Sequence, residues 1–228
     1  MLPVIRGPQL QGRQAAIIME FLGDNLMMEQ PPDAFRLTSD AVALANFFSC
    51  NKTDTVIDVG CGTGVLALMV SKKCRRVIAV DINASATAQA AKNVELNNLP
   101  NVEIITADVR DAHKTIGANT ADAIICNPPY FTTGEMSAND NKRLARHAET
   151  LPLTDLAAAA TRLLKCGGHI FFCYPAHHTA KAVAIFENDN FRVKELKFIS
   201  NAKGVYLTLF KCKKYNGDSG HNTKIVTF

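Results

Sequence analysis

Thr55-Val56-Ile57-Asp58-Val59-Gly60-Cys61-Gly62-Thr63-Gly64 is the stretch that decides the fold. A short β-branched run gives way to three alternate glycines and then to an apolar stretch reaching about Lys73, so the order is strand, tight turn, helix. Glycines at such a turn let a ligand approach the backbone and the start of the helix. The spacing is G-x-G-x-G with Asp58 ahead of it, whereas a dinucleotide fold calls for G-x-G-x-x-G.

Downstream the alternation continues. Residues 77–80 read as a second strand ending on Asp81, and Asn83 caps a helix over 84–97 with Ala88, Ala91 and Val94 on its inner stripe. Residues 102–106 form a third strand ending near Asp108, and 123–126 a fourth. A helix over 153–165 stops at Gly167-Gly168, a fifth strand covers 169–174, and a helix follows over 178–188. Two closing strands, 192–200 and 205–213, join at Lys203-Gly204 with no helix between them. The pattern predicts an α/β, doubly wound, Rossmann-like sheet of seven strands, mostly parallel, with an antiparallel strand at one end.

Upstream, Thr38 or Ser39 caps a helix carrying Ala41, Val42, Leu44, Ala45, Phe47 and Phe48. Residues 1–34 read as an extension in which an apolar turn or short hairpin, closed by Pro31-Pro32, covers the edge or mouth of a main domain over 35–228. The longest unpatterned stretch, 131–152, has the length of a functional loop or lid.

A chain of 228 residues, 47% hydrophobic, can bury one sizeable core. Seven cysteines without a Cys-x-x-Cys pair suggest reduced thiols in a cytosolic protein and neither a disulfide frame nor a zinc site. Cys173 lies near His177 and His178, but strand-end burial and surface histidines account for the three, so no metal is expected. No apolar core follows Arg6 and Arg13, and no run approaches the roughly eighteen apolar residues of a membrane span. Neither a signal peptide nor a membrane partner is expected.

The net charge of +4 is unevenly distributed. Arg192, Lys194, Lys197, Lys203, Lys211, Lys213, Lys214 and Lys224 face only Glu195 and Asp218, leaving the remainder of the chain slightly acidic. A basic end on an acidic body suits a polyanion such as RNA, and it equally suits a solvated edge hairpin protected from aggregation.

Three strand ends carry candidate chemistry. Asp81, about twenty residues beyond the glycine turn, stands where nucleotide-binding α/β folds hold ribose hydroxyls. Asp108 can accept from an adenine amino group. Asn127-Pro128-Pro129-Tyr130 follows the fourth strand, where two prolines end the ladder and hold Asn127 extended. That loop offers the Asn127 amide, the Pro128 carbonyl and the Tyr130 ring, a set that suits a planar NH2 group. Asn-Pro is also an ordinary turn dipeptide.

In that order and spacing, Asp58 to Gly64, Asp81, Asp108 and Asn127 to Tyr130 resemble class I S-adenosylmethionine-dependent methyltransferases. The Asn-Pro-Pro-Tyr variant belongs to those that methylate adenine N6, guanine N2 or the glutamine amide of release factors. Phe35 to Asp40, Phe131, Arg146-His147 and the tail Lys213-Lys214-Tyr215-Asn216-Gly217 are most similar to the bacterial tRNA adenine-N6 methyltransferases, whose named activity is on adenine 37 of a valine tRNA. In this chain Ala148 separates Arg146-His147 from Glu149.

The resemblance implies S-adenosylmethionine as cofactor, with the glycines Gly60, Gly62 and Gly64 facing its methionine part and Asp58 orienting the amine. It implies Asp81 on the ribose, Ile82 packed on adenine, Asp108 on the adenine amine, and Thr38 and Asp40 closing over the methionine end. Asn127 and Pro128 would hold the acceptor nitrogen beside the cofactor, Tyr130 and Phe131 would stack on the base, and Arg146 and His147 would bind substrate. The expected partner is RNA, an anticodon loop, gripped through the basic carboxyl-terminal region. A protein glutamine methyltransferase, an rRNA guanine-N2 methyltransferase, and a non-catalytic RNA- or nucleotide-binding module are the alternatives. An oxidoreductase is disfavoured by the glycine spacing. The oligomeric state stays open.

Overall fold

The computed structural model describes residues 18–23, 25–30, 38–128 and 151–215. A hairpin of β1 (Ile18–Gly23) and β2 (Leu26–Gln30) precedes α1 (Ser39–Phe47). Then follow β3 (Thr55–Val59), α2 (Val65–Ser71), β4 (Arg76–Asp81), α3 (Ala84–Leu96), β5 (Val102–Thr106), the short α4 (His113–Ile116) and β6 (Ala121–Cys126). After these come α5 (Leu153–Leu163), β7 (Leu164–Pro175), α6 (Thr179–Asn188), β8 (Phe191–Asn201) and β9 (Gly204–Lys214).

The large sheet has seven strands in the order β5-β4-β3-β6-β7-β9-β8. The pairs β5 to β7 are parallel, and β9 runs antiparallel to both β7 and β8. Every residue of β3 is buried, as a central parallel strand covered on both faces requires. Ile57, Ile78, Ile124, Phe172 and Phe210 pack on one face with α5 and α6. Val56, Val77, Ile125 and Phe171 pack on the other with α1 and α2. The chain leaves β3 toward β4 and β5 on one side and returns to β6 on the other. The crevice between β3 and β6 is therefore the switch point where doubly wound sheets bind ligands, at the carboxyl ends of the strands.

Thr38 caps α1 and Asn83 caps α3, each accepting backbone N–H groups of the first turn. Two sequence expectations are corrected. Gly167 and Gly168 do not stop a helix: α5 ends at Leu163 and the glycines sit inside β7. They serve a bulge, where pairing slips from Ala121–Leu164 to Ala123–His169. Gly167 has φ +80°, and a Cβ on Gly168 would lie 3.0 Å from the Asp122 carbonyl. The inner stripe of α3 is likewise not Ala88 and Ala91, which are exposed, but Thr87, Ala90 and Asn93. Polar side chains turn inward there because partners wait for them: Thr87 Oγ1 lies 2.6 Å from Thr106 Oγ1 on β5, and Asn93 reaches β2.

Candidate active site

Four neighbouring strands, β5, β4, β3 and β6, end at the candidate residues in a row. Gly60 follows β3, Asp81 ends β4, Asp108 follows β5 and Asn127 follows β6. The glycine loop is tied down by its own backbone. Gly60 and Cys61 donate to the Val80 carbonyl at 2.8 and 3.1 Å, and Gly64 donates to the Cys61 carbonyl at 2.8 Å. Gly62 donates to Asp81 Oδ2 at 2.8 Å, while Asp81 Oδ1 accepts from the Asn83 N–H at the same distance. The three glycines have φ of +69°, +54° and +93°, a region that a side chain would strain. Among the described residues a Cβ at Gly60 or Gly62 would meet nothing within 4 Å, so the loop is open toward them; at Gly64 it would press on Ala90 of α3 at 3.3 Å.

Asp58 lies beneath the loop, fully buried. Its Oδ2 accepts from the Ala67 N–H of α2 at 2.9 Å, and its Oδ1 has no partner among the described residues. Burial pushes the carboxyl up to about 7, with the Asp81 charge adding to the rise and the Ala67 hydrogen bond opposing it. A buried carboxylate with a spare oxygen beside an open glycine loop suits a cationic group of a ligand.

Ile82 stands 49% exposed at the lip. Asp108 is occupied: Arg110 grips it through Nε at 2.9 Å to both oxygens and through its backbone N–H. This pairing holds the carboxyl below the usual range. Two oxygens offer about four lone-pair directions, so a ligand amino group can share the carboxylate with Arg110. On the opposite side of the row, Asp40 Oδ1 accepts from Tyr206 Oη at 3.2 Å. β9 begins at the same edge where the parallel strands end, since Leu207 pairs with Pro175.

Asn127 is half-buried and Pro128 buried. Asn127 Oδ1 accepts from Cys173 Sγ, on the neighbouring β7, at 2.9 Å. Cys173 thus has a place beside the candidate catalytic amide, a role that its proximity in sequence to His177 and His178 does not suggest. Tyr206 is equally silent as a site residue, because it reaches the edge from β9, while Arg110 acts on Asp108 from two residues along the same loop. Tyr130, Phe131, Arg146, His147 and the 131–150 loop lie outside the described residues.

Residues 36–199 match the methyltransferase small domain family, more than half of the chain. The chain belongs to that family and is a methyltransferase. It is 29% identical over 170 residues to a tRNA1(Val) (adenine(37)-N6)-methyltransferase of Aliivibrio salmonicida, covering 73% of this chain and 71% of that one. To an enzyme of the same name from Dyadobacter fermentans it is 33% identical over 150 residues, 65% and 62% of the two chains. It therefore spans somewhat under two thirds of the second relative's length. Among solved structures it superposes on TYW2 of M. jannaschii, determined with AdoMet, with TM-score 0.62 at 18% identity over 90% of this chain and 88% of that one. It superposes on a transferase of Pyrococcus horikoshii with TM-score 0.64 at 16% identity over 89% and 73%. The methyltransferase thus shares its fold with both.

Proposed function

We propose that this methyltransferase moves the methyl group of S-adenosylmethionine to an exocyclic amino nitrogen of a nucleobase, adenine N6 in a tRNA. The observation that carries the reading is the single edge on which the open glycine loop, Asp81 and the Asn127–Pro128 turn stand on adjacent strands. Asp108 and Asn127 are three strand spacings apart, about 14 Å, a reach suited to an extended adenosine–methionine conjugate. The orphaned Asp58 oxygen and the unobstructed faces of Gly60 and Gly62 fit its ammonium and backbone-hugging chain.

In this reading Asp81 takes the ribose hydroxyls, Ile82 covers one face of the adenine, Asp108 takes its amine, and Thr38 and Asp40 lie against the methionine end. The bound cofactor supplies an activated methyl: the new N–C bond forms as the S–C bond breaks, a thioether leaves and the nitrogen's proton passes to water. An exocyclic amine is a poor nucleophile, because its lone pair is delocalised into the ring. Asn127 Oδ1 and the Pro128 carbonyl accept its two hydrogens, favour a pyramidal nitrogen and aim its lone pair. Catalysis is then positioning and electrostatics, with no strong base needed for attack. Tyr130 and Phe131 stack on the base, and Arg146 and His147 hold the substrate beyond it.

An RNA acceptor is favoured over a glutamine side chain by one face of the closing strands. Opposite pairs place His169, Lys213 and Arg192 in one row of that face and, in the next, Lys211 and Glu195 beside the buried Phe171. Lys213 and Lys194 lie 5.6 Å from the Tyr215 ring, and Lys211 lies 5.4 Å from the Phe171 ring. His169 is lowered to about 4, by burial first and then by Lys211, Lys213 and Lys194. The patch begins four residues along β7 from Cys173, about 13 Å, a spacing that lets RNA flanking the target base meet it. Lys214 is not part of this surface. It is buried, with Nζ on the Thr161 and Leu164 carbonyls at the end of α5 and on Asn119 Oδ1. Lys224 lies outside the described residues.

The test is to incubate the chain with methyl-labelled S-adenosylmethionine and unmodified tRNA and digest the RNA to nucleosides. Label in N6-methyladenosine is expected. Label in N2-methylguanosine, or in a release factor offered in parallel while tRNA stays unlabelled, would replace the adenine reading.

A further inference from the structure

Along α3 an amide side chain recurs every fourth residue, at Gln89, Asn93 and Asn97. This line faces the β1–β2 hairpin. Asn97 Oδ1 accepts from the Met27 N–H at 2.8 Å, and its Nδ2 donates to the Met27 carbonyl at 2.6 Å. Asn93 repeats the pattern with Glu29, at 2.8 and 3.1 Å, and Gln89 Nε2 adds a bond to the Glu29 carbonyl at 3.2 Å. A side-chain amide carries the same donor and acceptor as a peptide group, so Asn93 and Asn97 stand in for two residues of a neighbouring strand. The spacing allows it, since four helical residues rise about 6 Å and two strand residues about 6.8 Å. Met27 and Glu29, two residues apart, present their backbone groups on the edge of β2 that β1 leaves free.

Asn93 makes one bond more. Its Nδ2 also donates to the carbonyl of Thr63, at 3.0 Å, in the middle of the glycine loop. The side chain is fully buried, and both amide hydrogens and the oxygen are used. Thr63 sits between Gly62 and Gly64, both at positive φ. Peptide groups between two such flexible residues take the direction that their tethers give them. The same amide that receives the hairpin therefore holds the loop.

We propose that Asn93 is a positioning residue for cofactor binding. Docking of the β1–β2 hairpin on α3, relayed through Asn93, holds the Thr63 carbonyl and with it the Gly60–Gly64 loop in the form that receives S-adenosylmethionine. This rests on the reading of that loop as the cofactor site. It gives the hairpin a role in the reaction although its β2 pairs with α3 and not with the large sheet.

The test is calorimetric titration of S-adenosylmethionine into the full chain and four variants, with thermal unfolding of each. Asn93→Ala should weaken binding about tenfold, the scale of the one buried hydrogen bond that it makes to the loop, at the Thr63 carbonyl. Asn93→Asp keeps the acceptor for Glu29 but sets a carboxylate against two carbonyls, and should weaken it further. Asn97→Ala releases as many hairpin bonds and should lower the Tm comparably, yet change the Kd less than about threefold. Glu29→Pro removes the hairpin N–H that Asn93 accepts while leaving α3 and the loop unaltered. It should weaken binding severalfold, and it keeps the proposal testable if the Asn93 variants do not fold. Equal Kd changes for Asn93→Ala and Asn97→Ala, or a Kd that follows Tm across the set, would overturn the proposal. So would unchanged affinity in Glu29→Pro. If the unsubstituted chain itself fails to bind S-adenosylmethionine, the cofactor reading falls and this inference with it; if it binds and the Asn93 variants bind equally, only the inference falls.

Discussion

Two backbone N–H groups, from Gly62 and Asn83, converge on the Asp81 carboxylate at 2.8 Å each, whereas the Asn127 amide oxygen three strand ends from Asp108 meets, among the described residues, a buried thiol at 2.9 Å. These are the two halves of one edge. The half at β4 and β3 is fastened by backbone N–H groups that donate to the Val80 and Cys61 carbonyls and to the Asp81 carboxylate, with Asn93 of α3 on the Thr63 carbonyl, so its form follows from its glycines and the groups packed directly against them. The half at β6 and β7 is assembled by side chains that meet only when the sheet closes. A ligand that is always the same can be received by a fixed backbone cradle. An acceptor that must be aimed asks for side chains whose orientation neighbouring strands set.

If the halves divide the work between binding and transfer, substitutions should separate the two. The largest effect is expected for Asn127→Ala, which should slow single-turnover methyl transfer by about 10²- to 10³-fold, the usual cost of losing one group aimed at a developing charge. Next, Asp81→Ala should raise the Kd for S-adenosylmethionine by about 10²-fold, since it removes both the ribose acceptor and the anchor of Gly62; titration calorimetry reads it. A smaller rise, about tenfold, is expected for Asp58→Asn, and it comes with a signature in pH. The Asp58 carboxyl is raised by burial to about 7, so the folded chain prefers it protonated. Stability from this group is present below the ordinary value near 4 and is lost as pH climbs through about 7. A cationic ligand prefers the ionised form, so cofactor affinity should rise over the same interval. Asp58→Asn should flatten both profiles and make the free chain more stable at pH 8 than the unsubstituted one. The smallest effect belongs to Cys173→Ala, which removes the thiol that fixes the Asn127 amide. It should lower kcat by about two- to tenfold and leave the cofactor Kd unchanged, the scale of one net hydrogen bond. A shift in Kd of the same size would move Cys173 into the binding half.

The same contrast explains what could be read before the structure. The succession of strands and helices, the glycine turn, and the caps at Thr38 or Ser39 and at Asn83 are local, and periodicity and turn chemistry announce them. The inner face of α3 differs from the expected stripe by one position because the helix pattern counts apolar residues, while Thr87 turns toward the Thr106 hydroxyl and Asn93 and Asn97 toward the backbone of β2. Gly167 and Gly168 looked like a helix stop because a bulge inside a strand uses the same residue for the same freedom of φ. Lys214 counted as surface charge until the end of α5 supplied carbonyls for it. Cys173, Tyr206 and Asn93 carried no signal at all: what each does is defined by an atom on a different element.

The cofactor affinity of Asn127→Ala tests the division of the edge most directly. The account predicts a Kd for S-adenosylmethionine within about twofold of the unsubstituted chain, less than the weight of one hydrogen bond, in the same preparation whose methyl transfer has collapsed. Loss of cofactor binding in that variant would contradict it and assign Asn127 to holding the cofactor.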